Sequence, residues 1–214
     1  AMFNIGLDFA IWGGRLSGTI EYYNKKTSDL IYDYAVSTSR YPFGWMTANV
    51  GDITNKGVEL TINAIPVQTK DFQWSTTLNL SHNKNTVDKL SNDSYSVDYI
   101  NQANPNIGGF SQANSIQRIM EGEPIGTFYM WEWAGYNEDG LSIFNEYDES
   151  GKLIGTTASP GEKDRVKVGS AQPKINLGWN NTVTYKNWSL TAFVQGVFGN
   201  KIFNGTRAQY NNVT

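Results

Sequence analysis

The sequence has no cysteine and a single histidine, His82. The first absence excludes a disulfide framework, a thiolate metal site and a cysteine nucleophile. The second leaves little material for a multi-histidine metal cluster or a His-dependent proton relay. Charge is sparse as well: 17 Lys plus Arg stand against 20 Asp plus Glu in 214 residues, a formal balance of −3. Nucleic acid would want a basic face and is therefore not an expected partner. No run of about 18 apolar residues occurs, which excludes a transmembrane helix.

Aromatic residues, by contrast, are plentiful. There are 7 Trp, 12 Tyr and 10 Phe beside 21 Gly, in a chain also rich in Asn and Thr. That composition suits an all-β protein, and equally an outer-membrane barrel. The length suits one ordinary domain. The stretch 49–64, N-V-G-D-I-T-N-K-G-V-E-L-T-I-N-A, shows the pattern most plainly. Asn49, Gly51, Asn55 and Gly57 are turn formers. From Val58 onward the period becomes two, with Val58, Leu60, Ile62 and Ala64 on one face and Glu59, Thr61 and Asn63 on the other.

The same alternation builds three hairpins. Phe3–Ile11 turns at Trp12–Arg15 into Leu16–Tyr23. Val58–Val67 turns at Gln68–Asp71 into Phe72–Ser81. Ile175–Tyr185 turns at Lys186-Asn187 into Trp188–Phe198. Several of these strands approach the roughly 9–11 residues that a tilted strand needs to cross a bilayer. Between the hairpins lie two long connections, Asn24–Lys56 and Asn83–Pro173. If the short turns share one side, both long connections share the other, as in outer-membrane barrels. A soluble sandwich has no reason to sort its loops in this way. Trp12, Tyr22, Tyr23, Phe72, Trp74, Tyr185 and Trp188 cluster near strand ends, where an interfacial girdle would sit. In a barrel, Leu60, Ile62, Trp74, Leu78, Ile175, Leu177 and Trp179 would face lipid, and Glu21, Glu59, Thr61, Asn79 and Asn180 the lumen.

The second connection is far longer than an ordinary loop and is expected to fold on its own, as an extracellular subdomain over 83–173. Within it Gly122–Thr127 leads into the aromatic run Phe128–Tyr136, followed by a turn at Asn137–Gly140, a short strand at Leu141–Phe144 and a turn at Asp148–Gly151, as in a subdomain with its own hairpins. Asn137–Gly140 lacks the alternating ligands and distal Glu of a calcium loop, so a β-turn is expected and no metal. Trp131, Trp133 and Tyr136 are candidate ligand contacts, because aromatic faces can stack on sugar rings; packing within the subdomain is the competing reading. Glu21 and Glu59 resemble a glycosidase carboxylate pair in type alone. Their neighbours are the Thr, Ser and Asn of any watery lumen, and no enzyme is expected. His82 reads as a strand-end polar residue.

Taken in order, several segments resemble the SusC/RagA family of TonB-dependent outer-membrane transporters. They are N-I-G-L-D-F (4–9), E-Y-Y-N-K-K-T-S-D-L-I-Y (21–32), N-V-G-D-I-T-N-K-G-V-E-L (49–60), W-S-T-T-L-N-L-S-H-N-K-N (74–85), G-E-P-I-G-T-F-Y (122–129), P-K-I-N-L-G-W-N-N-T-V-T-Y-K (173–186) and F-G-N-K-I-F-N (198–204). The resemblance implies an all-β fold: an antiparallel transmembrane β-barrel of about 22 strands with long extracellular loops, filled by an N-terminal plug. Residues 1–214 would form only part of it. The implied activity is import of oligosaccharides or peptides across the outer membrane of a Gram-negative, Bacteroidota-like cell. A SusD-like surface lipoprotein would assist, and TonB would supply energy through an N-terminal segment that this sequence does not contain, nor does it contain the family's last strands. No cofactor is implied. Gly161-Glu162-Lys163-Asp164 stands where many members carry an acidic G-D-x-x-x-x-D-x-N-G-D-G run, which speaks against a metal there. The reading kept beside this one is a soluble, extracellular carbohydrate-binding β-sandwich.

Overall fold

A computed structural model describes residues 1–36, 38–40, 42–49, 51–91, 97–105 and 115–210. Val50 of the 49–64 motif and 211–214 of the chain's last stretch lie outside them. The strands in chain order are β1 (Met2–Ile11), β2 (Leu16–Thr27), β3 (Ile31–Ala35), β4 (Trp45–Asn49), β5 (Asp52–Gln68), β6 (Phe72–Lys89), β7 (Tyr99–Gln102) and β8 (Gln117–Met120). They continue with β9 (Thr127–Trp131), β10 (Trp133–Tyr136), β11 (Ser142–Tyr147), β12 (Leu153–Thr157), β13 (Arg165–Ser170), β14 (Ile175–Tyr185) and β15 (Trp188–Phe198), and a short helix, α1, covers Gly205–Tyr210. Two compact units result: Ala1–Asp98 with Gln172–Asn200, and Tyr99–Ala171 with Lys201–Thr214.

The first unit is one antiparallel sheet in the order β1-β2-β5-β6-β14-β15, with β1 and β15 at its edges. Antiparallel register places residues of the same face side by side, so the period-two pattern of each strand becomes a row across the sheet. Leu7, Ile20, Leu60, Leu80 and Leu177 form one such row. Phe9, Gly18, Ile62, Leu78, Trp179 and Val194 form the next. This apolar face is open to its surroundings along its length: Leu7 is 64% exposed, Leu190 71% and Trp188 80%. A soluble sandwich would bury such a face against a second sheet. The short turns lie together at one end, where the Lys186 N–H donates to Asp71 O at 2.8 Å and the Ile65 N–H to Arg15 O at 2.7 Å. Ten steps along Ile175–Tyr185, tilted as barrel strands are, rise about 25 Å, the height of an outer-membrane apolar band.

Several sequence expectations need correction. Asn55 and Gly57 do not turn; they lie inside β5. Gly57 is there because the Tyr23 ring crosses it: a Cβ at Gly57 would sit 2.7 Å from the Tyr23 hydroxyl and 2.3 Å from His82 O. The Tyr23 hydroxyl reaches over it to donate to Asn83 Oδ1 at 3.0 Å. Tyr23 therefore belongs to the polar face and not to an outward girdle. The strands also run further than apolar periodicity shows, with Thr27 paired to Ile53 and Asp52 to Lys89. Beyond the greasy rows most residues on both faces are polar, the buried Val87 and its neighbour Ile53 excepted, so alternation falls silent while the backbone ladder continues. The first long connection holds a hairpin of its own, β3–β4. Pro66 is tolerated within β5 because the register shifts between Ala64 and Val67. Arg15 fastens that bulge, donating to Ile65 O at 3.2 Å and Pro66 O at 3.0 Å.

The greasy face is not uniformly greasy. Thr76 and Asn181 share it, as neighbours in one row. The Trp179 indole N–H donates to Thr76 Oγ1 at 2.9 Å, and that of Trp74 to Asn181 Oδ1 at 3.2 Å. The Thr76 hydroxyl in turn donates to Asn180 O at 3.2 Å, so the polar groups on this face are hydrogen-bonded to one another within the sheet.

Two pairs of substitutions test this layout in the full-length protein. Leu78 lies near the middle of the apolar rows, so Leu78→Arg is expected to lower unfolding free energy in lipid by about 2–4 kcal/mol. Asn79→Arg, one residue on, should cost far less; equal losses would contradict the facing. Gly57→Ala should lower the temperature at which the folded, faster-migrating band is lost on gels. Gly6→Ala, whose new Cβ meets the flexible Glu21 side chain at 3.3 Å and the Ile20 carbonyl at an ordinary 3.8 Å, should hardly move it.

Candidate functional site: the polar face of the sheet and the loop unit

The residues expected to face a lumen fall on the polar face in three consecutive rows. Gly6, Glu21, Glu59, Ser81, Asn176 and Val197 make the first. Asp8, Thr19, Thr61, Asn79, Gly178 and Gln195 make the second. Ala10, Ser17, Asn63, Thr77, Asn180 and Phe193 make the third. Cross-strand hydrogen bonds tie them: Thr19 Oγ1 donates to Asp8 Oδ1 at 2.6 Å, Thr61 Oγ1 to Asn79 Oδ1 at 3.0 Å and Thr77 Oγ1 to Asn63 Oδ1 at 2.9 Å. Glu21 stands directly opposite Glu59, a like-charge pairing that a sheet disfavours.

Phe193 and Val197 were not anticipated. They are apolar residues on the polar face, 63% and 48% exposed. Parity along β15 was the available signal, since both are odd-numbered like Thr191 and Gln195. The Phe193 ring lies over Gly178, 3.8 Å from where a Cβ would be. Beside it is a shallow depression of about 320 Å³, lined by Glu59, Thr61, Asn79, Ser81, Asn176 and Gln195 among others. An aromatic face next to amides, hydroxyls and one carboxylate can both stack on and hydrogen-bond to a polar ligand.

The second unit contains the sheets β13-β9-β8-β7 and β10-β11-β12. Its centre is a stack of rings and guanidinium groups. Arg118 lies between Tyr99 and Tyr129, at 4.0 and 4.1 Å from their centroids. Arg165 packs beside Tyr129 and Trp131. Both arginines are buried, and both reach the carboxylate of Glu162. Burial lowers the pKa of each guanidinium from its ordinary value.

Trp131, Trp133 and Tyr136 divide here. The Trp131 indole N–H donates to Gly161 O at 2.7 Å and its ring meets Phe144 edge-on. Trp133 and Tyr136 pair edge-to-face at 5.3 Å and are 57% and 67% exposed. Asn137 builds the expected turn, its Oδ1 accepting from the N–H groups of Asp139 and Leu141. Asp148–Gly151 turns likewise. In the 161–164 segment the Asp164 carboxylate accepts from Tyr147 N at 2.9 Å and Gly161 N at 2.7 Å. Among the described residues no three His, Asp or Glu side chains converge as a metal site would need.

An antiparallel sheet with one greasy and one hydrogen-bonded polar face is the wall of a transmembrane β-barrel. Residues 3–197 match the family described as TonB dependent receptor-like, beta-barrel. The chain belongs to that family. It is 33% identical to TonB-dependent receptor P3 of Formosa agariphila, over 95% of this chain and 20% of that protein. It is 31% identical to TonB-dependent receptor SusC of Bacteroides thetaiotaomicron, over 94% of this chain and 19% of that protein. Among solved structures, the RagAB peptide importer in its closed-closed state superposes with a TM-score of 0.74 at 25% identity, covering 93% of this chain and 21% of the importer chain. This chain thus spans about a fifth of the length of the curated relatives it matches.

The 161–164 segment gives the loop unit an acid limit. Hydrogen bonds from the Tyr147 and Gly161 N–H groups lower the Asp164 pKa, and those from Tyr147 and Asn145 side chains lower that of Glu132. A carboxylate with a depressed folded pKa stabilises fully above its unfolded value near 4, and loses that contribution as pH falls through the folded value. Hydrogen exchange across 145–165 is therefore expected to quicken as pH drops below about 4, after correction for intrinsic rates. In Asp164→Asn the segment should be looser at neutral pH and respond less to acid. An unchanged pH response in that variant would contradict the assignment.

Proposed function

We propose that this chain is part of the barrel wall of a SusC-like, TonB-dependent transporter in the outer membrane of a Gram-negative, Bacteroidota-like cell. The observation that carries the reading is the six-stranded meander, greasy on one face and hydrogen-bonded on the other, within a family match over nearly its whole length. The greasy face meets lipid. The polar face, with Glu21, Glu59, Thr61, Asn79 and Asn180, faces the lumen. The edges of β1 and β15 pair with strands from the remaining length that the relatives possess, since unpaired backbone groups in hydrocarbon cost several kcal/mol each. The imported ligand is an oligosaccharide or peptide, captured with a SusD-like surface lipoprotein, and TonB drives release through a plug. The connection between β6, which runs on to Lys89, and β14 is the large extracellular loop, where Trp133 and Tyr136 offer ring faces to the ligand and Trp131 holds the loop together. The chain acts as part of a transporter and not as an enzyme, a reading supported by relatives that are TonB-dependent receptors.

The test is uptake by the native organism. Deleting the full-length gene should abolish growth on one class of oligosaccharide or peptide, and inactivating TonB should reproduce the defect. The double variant Trp133→Ala/Tyr136→Ala should slow uptake while leaving surface expression intact. A full-length protein that is monodisperse without detergent, or a deletion strain that grows on every such nutrient, would overturn the reading.

A further inference from the structure

Directly above the apolar rows, at the end of the sheet that carries the long connections, two lysines sit side by side on the outward face. Lys56 of β5 is in register with Lys84 of β6, and Asn24 of β2 with Lys56. No register shift separates them from Val58 and His82 in the row below, so they belong to the greasy face by parity. Both are exposed. Adjacent like charges on neighbouring strands repel. Neither lysine takes part in any of the ion pairs of the described residues.

The other charged groups nearby on this surface are already engaged. One row further from the apolar band, Lys26 pairs with Asp52 at 3.0 Å, and Asp88 accepts the Thr54 hydroxyl. Below the lysines, His82 Nδ1 contacts the Lys174 carbonyl at 2.7 Å. A carbonyl only accepts, so Nδ1 carries the proton and Nε2 is the ring's remaining polar atom. Two unneutralised ammonium groups on flexible stems, an amide and an imidazole thus line the border of the lipid-facing band. The adjacent Cβ atoms of opposed strand residues lie about 5 Å apart, so one phosphate can be reached from both lysines.

We propose that Lys56 and Lys84, with Asn24 and His82 beside them, form a docking site for the phosphorylated headgroup of an outer-leaflet lipid. Charge complementarity and continuity with the apolar face both favour that occupant: the acyl chains lie along Val58, Leu60 and Leu80 while the phosphate meets the ammonium pair. The proposal rests on the membrane-barrel reading and its orientation. It requires no ligand in the lumen and no partner lipoprotein.

The experiment uses the full-length protein, stripped of bound lipid in a mild detergent, and the double variant Lys56→Gln/Lys84→Gln. Each is titrated with lipid A, with enzymatically dephosphorylated lipid A, and with inorganic phosphate. The readout is the temperature at which the folded band converts to the unfolded one on gels. In the wild type, lipid A is expected to raise that temperature by several degrees more than its dephosphorylated form, and moderate salt should erode the difference. In the variant the two lipids should act alike, and inorganic phosphate should act on neither protein. Lys25→Gln, on the opposite face, should retain the wild-type response. Equal shifts in wild type and double variant, equal shifts from both lipids in the wild type, or no shift at all would overturn the proposal. A wild type that is folded yet shows no heat-modifiable band overturns the barrel reading itself and takes the lipid site with it.

Discussion

Hydrocarbon offers no hydrogen bond to a peptide group, and that one constraint organises the molecule. A strand left alone in it would expose a row of unpaired N–H and C=O groups; a ladder of antiparallel neighbours satisfies them. Once the ladder is obligatory, side chains must alternate, and the period of two sorts each strand into a side that meets lipid and a side that meets water. The apolar row from Leu7 to Leu177 and the polar row from Asp8 to Gln195 carry that period across the sheet. Even the exceptions obey the same demand. Thr76 and Asn181 sit on the greasy side with their hydrogen bonds met inside the sheet, by the Trp179 and Trp74 indoles and the Asn180 carbonyl.

Wherever hydrophobic alternation was present, the sequence was legible nearly to the residue. The third hairpin, Ile175–Tyr185 with Trp188–Phe198, has the expected bounds and turn. Legibility failed where the medium ceases to select. Above the apolar band Lys25, Asn55 and Asn85 are polar in a wet setting, and the strands extend there unannounced. Asn55 and Gly57 looked like a turn because residue preference reports local freedom. It does not report that the Tyr23 ring, more than thirty residues earlier, needs the space that a side chain at Gly57 would fill. The stacking of Tyr99, Arg118, Tyr129, Arg165 and Trp131 was invisible for the same reason, being a meeting of separate strands with no sequence period.

For the candidate site, alternation placed Glu21, Glu59, Thr61, Asn79 and Asn180 on one face but said nothing about shape. The depression beside Phe193 arises from register, which sets Gly178 next to a ring from the following strand. In the loop unit, composition offered three aromatics as equals. Trp131 has its indole N–H and ring edge engaged, whereas Trp133 and Tyr136 stand in solvent.

The junction between β6 and β14 joins strands separated by some 85 residues, yet it is among the most tightly specified in the sheet. Eleven consecutive pairs and two crossed indole bonds admit no slip, because a shift by one residue would send every side chain to the wrong medium. Closing a loop depends only weakly on its length, about 0.6 kcal/mol for each doubling. The wall and its long insertion are therefore nearly decoupled in energy. A lineage can lengthen, trim or replace the loop unit with almost no effect on how the sheet finds its register. Freedom in the insertion and constancy in the wall then follow from where the long-range joint was placed.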